Sequence, residues 1–106
     1  MADVLIAFCT FPDSDTAAKI TNQLLAGRLV ACGNILPPVR SIYRWQGKIE
    51  SGEEVLTVFK LHRARYAEFE SKIRSMHPYD VPEIIAFPVT AGLPQYLEWV
   101  KESCRQ

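Results

Sequence analysis

The stretch that most constrains the fold is the run Val4–Phe11, which carries apolar side chains at both even and odd positions. A strand with one face in water alternates apolar and polar residues, so this run predicts a strand that is covered on both faces. The second cover can be another layer of the same chain or a partner molecule. Any fold for this sequence must therefore place material on both sides of its first strand.

Two segments show the apolar spacing of an amphipathic helix. The first spans about residues 14–27, with an N-cap candidate and acidic first turn before it and Gly27 as its C-terminal stop. The second spans residues 63–76, where charged side chains occupy most of the other positions. Its predicted inward face consists of Tyr66, Phe69, Ile73 and Met76.

The remaining apolar segments predict strands and one more helix. A strand over 29–36 is ended by Pro37-Pro38, and strands over 39–45 and 48–61 form a hairpin that turns at Gln46-Gly47. Gly52 interrupts the second hairpin strand and is interpreted as a bulge or kink. The last strand covers 83–89, and a C-terminal helix starts at Pro94. The predicted inward face of that helix consists of Tyr96, Leu97, Val100 and Cys104.

This order of elements predicts the fold class. A β-α-β-β-α-β sequence with an extra hairpin strand and a C-terminal helix is typical of an α+β protein, a ferredoxin-like split β-α-β sandwich with an antiparallel sheet. The 106 residues are predicted to form a single domain, 1–106.

Two helices can cover only one side of a four-stranded sheet, so the other side needs a second cover. The hairpin also carries more apolar surface than a small monomer leaves in water. We therefore expect copies of the chain to associate in a closed cyclic oligomer. The apolar hairpin residues are Ile42, Tyr43, Trp45, Val55, Phe59 and Leu61.

Charge and cysteine content exclude several classes of partner. The formal net charge is zero and no basic stripe is present, so neither nucleic acid nor an anionic membrane is expected to bind. No signal sequence and no apolar run of membrane-spanning length occur, which predicts a cytoplasmic protein. Three cysteines without CxxC spacing predict reduced thiols, with Cys9 and Cys32 in the core and Cys104 semi-exposed.

The segment His77–Glu83 combines the densest set of reactive side chains with two prolines. Pro78 and Pro82 predict a stiff extended loop that follows the second helix. Its imidazole, phenol and carboxylates are groups that bind metals or transfer protons. The alternative is a structural connector between helix and strand.

Three functional interpretations use these residues. An enzyme would use Cys9 as nucleophile with His77, Asp80 and Glu83 as base and orienting groups. The sequence has no G-x-S-x-G, phosphate loop or HExxH motif, so no catalytic residues are predicted. A binding protein could instead hold a metal, or hold a small anionic ligand in clefts between subunits. The cleft residues would be Lys60, Arg63, Tyr79 and Glu83.

Several motifs together closely resemble the CutA divalent-cation-tolerance family. They are Leu29-Val30-Ala31-Cys32-Gly33-Asn34-Ile35, Ser41-Ile42-Tyr43-Arg44-Trp45-Gln46-Gly47-Lys48-Ile49-Glu50, His77-Pro78-Tyr79-Asp80-Val81-Pro82-Glu83-Ile84-Ile85 and Tyr96-Leu97-Glu98-Trp99. The resemblance covers the whole chain and implies a cytoplasmic, ferredoxin-like homotrimer linked to copper and other divalent cations. In architecture the chain is also similar to the trimeric P-II signal proteins.

The resemblance also implies site residues. The family's proposed copper ligands correspond to Cys9 and His77, and Met76 stands where some members have a second histidine. Cys, Met and His together form a soft donor set suited to Cu(I). The expected function is thus weak copper binding by a non-catalytic trimer in which the Tyr43 and Trp45 hairpin crosses to a neighbour. The alternative is a P-II-like signalling trimer that binds an anion.

Overall fold

The computed structural model describes residues 2–106 and contains five strands and three α-helices within that range. A short 3₁₀ turn, Arg63–Arg65, joins the fourth strand to the second helix. No helix in the described range is long and apolar enough to cross a membrane. The elements are β1 (Val4–Phe11), α1 (Ser14–Ala26), β2 (Cys32–Ile35), β3 (Val39–Trp45), β4 (Lys48–His62), α2 (Tyr66–Met76), β5 (Ile84–Pro88) and α3 (Pro94–Ser103).

The sheet is antiparallel throughout, with strand order β2-β4-β1-β5. The remaining strand, β3, pairs with β4 beyond the end of β2. This arrangement confirms the predicted α+β class, a split β-α-β sandwich with an extra hairpin strand and a C-terminal helix.

One face of the sheet packs against α1 and α2, which bury its β1 and β4 side chains. Its side chains come from alternate positions of β1 and β4 that lie opposite each other, such as Leu5 and Leu61 or Ala7 and Phe59. Phe59 meets Phe69 of α2 edge to face, with ring centroids 5.4 Å apart. The buried helix residues on this face include Ala17, Ile20, Leu24, Phe69 and Ile73.

A buried arginine joins α1 to the turn before α2. Helix α1 ends at Ala26 with Gly27 as its C-cap, and Arg28 has a positive φ of 56°. The Arg65 guanidinium donates hydrogen bonds to the carbonyls of Gly27 and Arg28, and also pairs with Glu68 at 3.0 Å. These contacts satisfy carbonyl groups at the helix end that have no partner within the helix.

The opposite face is covered only in part. Helix α3 lies over one end of it, because Tyr96 Oη is 4.0 Å from Cys32 Sγ and the Cys32 side chain points away from α1. Farther along this face, Phe87 stacks edge to face on Phe8 but remains 43% exposed, and Ile85 is 53% exposed. The expected need for a second cover therefore persists in the single chain.

The hairpin of β3 with the first half of β4 extends away from the sheet as a two-stranded ribbon, residues 39–54. It turns at Gln46 and Gly47, which both have positive φ (49° and 77°). The predicted bulge at Gly52 is wrong, since the register is continuous from Arg40↔Glu53 through Ser41↔Gly52. Large apolar side chains of the ribbon are exposed: Ile42, Tyr43, Trp45 and Ile49.

Three further expectations need correction. The second strand begins at Cys32, because the residues from Leu29 to Ala31 are buried in the connection that follows α1. Tyr96 is 42% exposed and is not one of the buried residues of α3, although its hydroxyl reaches Cys32. Cys104 is 2% exposed, so it is buried, whereas Cys32 is partly accessible.

Candidate functional site

Cys9 lies near the end of β1 on the covered face, between Thr57 of β4 and Ile84 of β5. It is 0% exposed, and its thiol lies 3.7 Å from the Thr10 carbonyl oxygen. Burial, with smaller contributions from Glu83 and Glu54, raises the pKa of Cys9 to about 12. The thiol is therefore protonated near neutral pH, and in this state it is neither a good nucleophile nor a metal ligand.

His77 follows the last residue of α2, where Pro78 prevents the helix from continuing. It is buried, and its ring stacks on Phe11 with centroids 5.0 Å apart. Its Nε2 is 2.7 Å from the Thr10 carbonyl oxygen, and its Nδ1 accepts the Tyr79 backbone N–H at 3.1 Å. These partners assign the neutral tautomer with hydrogen on Nε2, which leaves no free lone pair on the ring.

The Cys9 thiol and the His77 imidazole meet at one atom, the Thr10 carbonyl oxygen. Met76, the third predicted ligand, is partly buried and packs against the hydrophobic core. Within residues 2–106 no group of three or more His, Cys, Asp or Glu side chains could hold a metal ion. As these groups stand, the protonated thiol and the occupied imidazole do not fit a bound copper ion without rearrangement.

Tyr79 covers the His77 ring from the side of the loop. Its ring centroid is 4.7 Å from that of His77, and its hydroxyl donates to Glu54 Oε2 at 2.8 Å. Burial and this hydrogen bond raise the pKa of Tyr79 to about 12. Tyr79 is therefore a neutral hydrogen-bond donor, and it connects the loop to the base of the ribbon.

One chain does not bring the four predicted cleft residues together. Lys60 pairs with Ile6 near the start of β1 and hydrogen-bonds Asn34, while Arg63 donates to the Ala2 carbonyl at 2.6 Å. Tyr79 contacts Glu54, which precedes Val55, the residue paired with Phe11 at the end of β1. Glu83 is exposed just before β5. The two cations and the other two residues thus lie at opposite ends of the strand.

Three contributors to this site were not predicted as such: Glu54, Phe11 and the Thr10 carbonyl. Glu54 is 25 residues from Tyr79, and Thr10 is 67 residues from His77. Their roles depend on the register of β1 against β4 and on the path of the loop after α2. Spacing in the sequence carries no signal for either contact.

The apolar ribbon and the open sheet face form the second notable surface. Tyr43 and Trp45, the predicted interface residues, are both exposed, Trp45 by 59%. The two strands of the ribbon pair only with each other. A two-stranded hairpin of this kind is marginally stable alone in water. This part of the chain therefore has the surface composition of an interaction site.

Comparisons with known proteins agree with one another. The family model described as CutA1 divalent ion tolerance protein matches residues 5–103. The "Divalent-cation tolerance protein CutA" of Pectobacterium atrosepticum is 37% identical over 105 residues, which is 99% of this chain and 96% of that protein. The "Protein CutA, chloroplastic" of Arabidopsis thaliana is 37% identical over 95% of this chain, and the chain spans 56% of its length.

A solved structure has the same fold over nearly the whole chain. The crystal structure of CutA1 from the psychrotrophic bacterium Shewanella sp. SIB1 matches with a TM-score of 0.95 at 37% identity. The match covers 99% of this chain and 98% of that one.

Proposed function

Because the chain belongs to the CutA1 divalent ion tolerance protein family, we propose that it acts in divalent-cation tolerance as a non-catalytic homotrimer that binds copper weakly through Cys9 and His77. The observation that carries the copper site is the meeting of the thiol and the imidazole at the Thr10 carbonyl oxygen. Three unpaired cysteines support a reducing compartment, and we place the protein in the cytoplasm.

The protonation states at the site support a non-catalytic role. Burial holds Cys9 as a thiol, and Tyr79 is held as a neutral phenol. His77 uses one ring nitrogen to bond Thr10 and the other to bond Tyr79, so it has no free position with which to activate a nucleophile. The groups are arranged to stabilise the loop and not to transfer a proton to a substrate.

The same contacts favour weak copper binding over tight binding. A metal ion at Cys9 must displace the thiol proton, and a metal ion at His77 must displace a hydrogen-bond partner of the ring. Since the pKa of Cys9 is about 12, the apparent affinity of a thiolate site rises about tenfold per pH unit over the neutral range. Met76 adds a soft donor only if its side chain leaves the core.

Calorimetry with Cu(I) and with Cu(II) tests this site. We expect Cys9→Ser and His77→Ala to weaken binding, and we expect wild-type affinity to be lower at pH 6 than at pH 8. The matched controls are Cys32→Ser and His62→Ala, which alter the same residue types away from the end of β1. If the controls weaken binding and the first pair leaves the isotherm unchanged, the copper site lies elsewhere and the proposal for Cys9 and His77 fails.

The trimer rests on a separate observation, the exposed apolar ribbon and open sheet face. A cyclic arrangement in which each ribbon lies on a neighbour would cover both. Light scattering should give a mass of three chains, and Trp45→Ala should loosen the assembly, because a large aromatic at an interface often contributes about 2 kcal/mol or more. Trp99→Ala, which removes an exposed tryptophan of α3 outside the ribbon, is the control. A mass of one chain at micromolar concentration would contradict the trimer.

A further inference from the structure

Tyr79 makes three separate contacts that close the site at the end of β1. Its backbone N–H occupies His77 Nδ1, its ring lies against the imidazole, and its hydroxyl is bonded to Glu54. We propose that Tyr79 is a latch, meaning a side chain whose release opens the Cys9–His77 pair to solvent and to metal ions, and that Glu54 holds the latch closed. This inference rests on the proposed function, because it concerns access to the same two residues.

The loop that carries Tyr79 is held to the rest of the chain at few points. Between the end of α2 and the start of β5, Pro78 and Pro82 have no backbone N–H to donate. In the part of the chain that the structure describes, only two side-chain hydrogen bonds join this loop to other elements: His77 to Thr10 and Tyr79 to Glu54. The second of these lies nearer the surface, so it can break while the first remains.

Release of Tyr79 would change the site in two ways. Departure of the Tyr79 ring would make one side of the imidazole accessible, and movement of the Tyr79 backbone with it would free the lone pair on Nδ1. The Cys9 thiol and His77 Nε2 lie 3.7 Å and 2.7 Å from the same Thr10 carbonyl oxygen, so a movement of His77 changes the surroundings of Cys9. A ligand that binds only the open form has its apparent affinity reduced by the fraction of molecules in that form.

The phenol–carboxylate bond has a matched counterpart in the same chain. Tyr66 donates to Glu70 Oε2 at 3.0 Å, within α2, and neither residue contacts Thr10 or Glu54 through a hydrogen bond. Tyr66→Phe and Tyr79→Phe therefore remove the same chemical group and the same type of bond. Only the second substitution acts on the latch, which makes the pair a direct comparison.

The experiment measures the rate at which N-ethylmaleimide labels each cysteine in the native protein without metal, with mass spectrometry of peptides as the readout. We expect Tyr79→Phe to label Cys9 about tenfold faster than the wild type, Glu54→Gln to give a smaller increase because its amide oxygen still accepts the bond without the charge, and Tyr66→Phe to match the wild type. A tenfold change corresponds to about 1.4 kcal/mol, and hydrogen bonds to charged groups are of this order. Cys104, buried at the other end of the sheet, should keep its wild-type rate.

Two results would overturn the latch. One is an unchanged Cys9 rate in both Tyr79→Phe and Glu54→Gln, and the other is an equal increase at Cys9 and Cys104, which would mean that the whole fold is destabilised. Copper titration of the same variants tests the proposed function separately. Faster Cys9 labelling with unchanged copper affinity would support the latch and would remove Cys9 and His77 as the copper site.

Discussion

The two halves of β4 belong to one unbroken strand, yet their surroundings differ completely. From Val55 to His62 the strand lies between β1 and β2, and its alternate residues from Val55 to Leu61 are buried under the helices. From Lys48 to Glu54 it pairs only with β3, and no residue is buried. The C-terminal half of β4 is thus packed within its own chain, whereas the N-terminal half is surface that a single chain leaves open.

The two halves of β4 therefore contribute differently, one to the stability of the fold and the other to the surface available for binding. The packed half supplies the hydrophobic energy of folding and holds Cys9 in a dry environment. The ribbon half adds little to the core, but it presents aromatic side chains and, at Glu54, the acceptor for Tyr79. The candidate metal site therefore lies at the junction between the part that folds the chain and the part that is available to partners.

Among single substitutions in the packed half, Phe59→Ala should have the largest effect on the free energy of unfolding. Phe59 is fully buried and its ring contacts Phe69, so truncation leaves a cavity and should lower the free energy of unfolding by about 3–5 kcal/mol. In the ribbon half of the same strand, Ile49 is 72% exposed. Ile49→Ala should change the stability of the dissociated chain by less than about 0.5 kcal/mol. Urea unfolding, at a concentration where light scattering gives one chain, measures both.

Equal losses for the two substitutions would break the comparison, because they would mean that the ribbon packs within its own chain. A loss for Ile49→Ala that grows with protein concentration would instead sharpen it. Such a result would show that the ribbon is stabilised by other copies, as the proposed trimer requires.

The packed half was largely predictable and the junction was not. Period-two patterns from Val55 to Leu61 and the mixed pattern of Val4–Phe11 correctly predicted strands, because side-chain alternation follows from backbone geometry. The bulge at Gly52 was wrong, since a glycine in a regular ladder looks the same in sequence as one in a bulge. The contact of His77 with Thr10 depends on the docking of α2 against the sheet, which no local pattern encodes.

The second prediction compares glycine substitutions in the two regions. At Gly33, on β2 beside the packed half, an added Cβ would lie 2.8 Å from Thr21 Cγ2 and 3.0 Å from Phe59 Cε1. Such overpacking should cost about 1–3 kcal/mol in Gly33→Ala. At Gly52 in the ribbon nothing lies within 4 Å of the added atom, so Gly52→Ala should be within about 0.5 kcal/mol of the wild type. Denaturant unfolding measures both.

A rescue variant makes the cause specific. Thr21→Ser removes the methyl group that the added Cβ would approach most closely, so it should recover part of the loss in Gly33→Ala and none in Gly52→Ala. If Gly52→Ala is as costly as Gly33→Ala, the ribbon backbone is under a constraint that a second chain must impose.

The smallest expected effect is a fall in the free energy of unfolding at alkaline pH, caused by the Cys9 thiol of the packed region. The pKa of Cys9 is raised from 9.0 to about 12 in the folded chain, mainly by burial. Between these values the folded state keeps a proton that the unfolded state has lost. The contribution to the free energy of unfolding is therefore complete below pH 9 and is lost as the pH rises toward 12. Its slope is at most about 1.4 kcal/mol per pH unit.

Urea unfolding from about pH 8 to about pH 10.5 measures this slope in the wild type, in Cys9→Ala and in Cys32→Ala. Cys9→Ala should make the alkaline decline less steep, whatever its cost at neutral pH, because it removes one proton that the folded state retains; Cys104 and Tyr79, whose pKa values are also raised, keep part of the slope. Cys32→Ala should keep the wild-type slope, since Cys32 lies at the partly exposed edge of the sheet. An equally steep decline in Cys9→Ala would mean that Cys9 contributes nothing to the slope, as expected if the end of β1 admits solvent in the native state. The packed half would then be open to solvent at Cys9, one of the two proposed copper ligands. The difference in burial between the two halves of β4 would not extend to the candidate metal site.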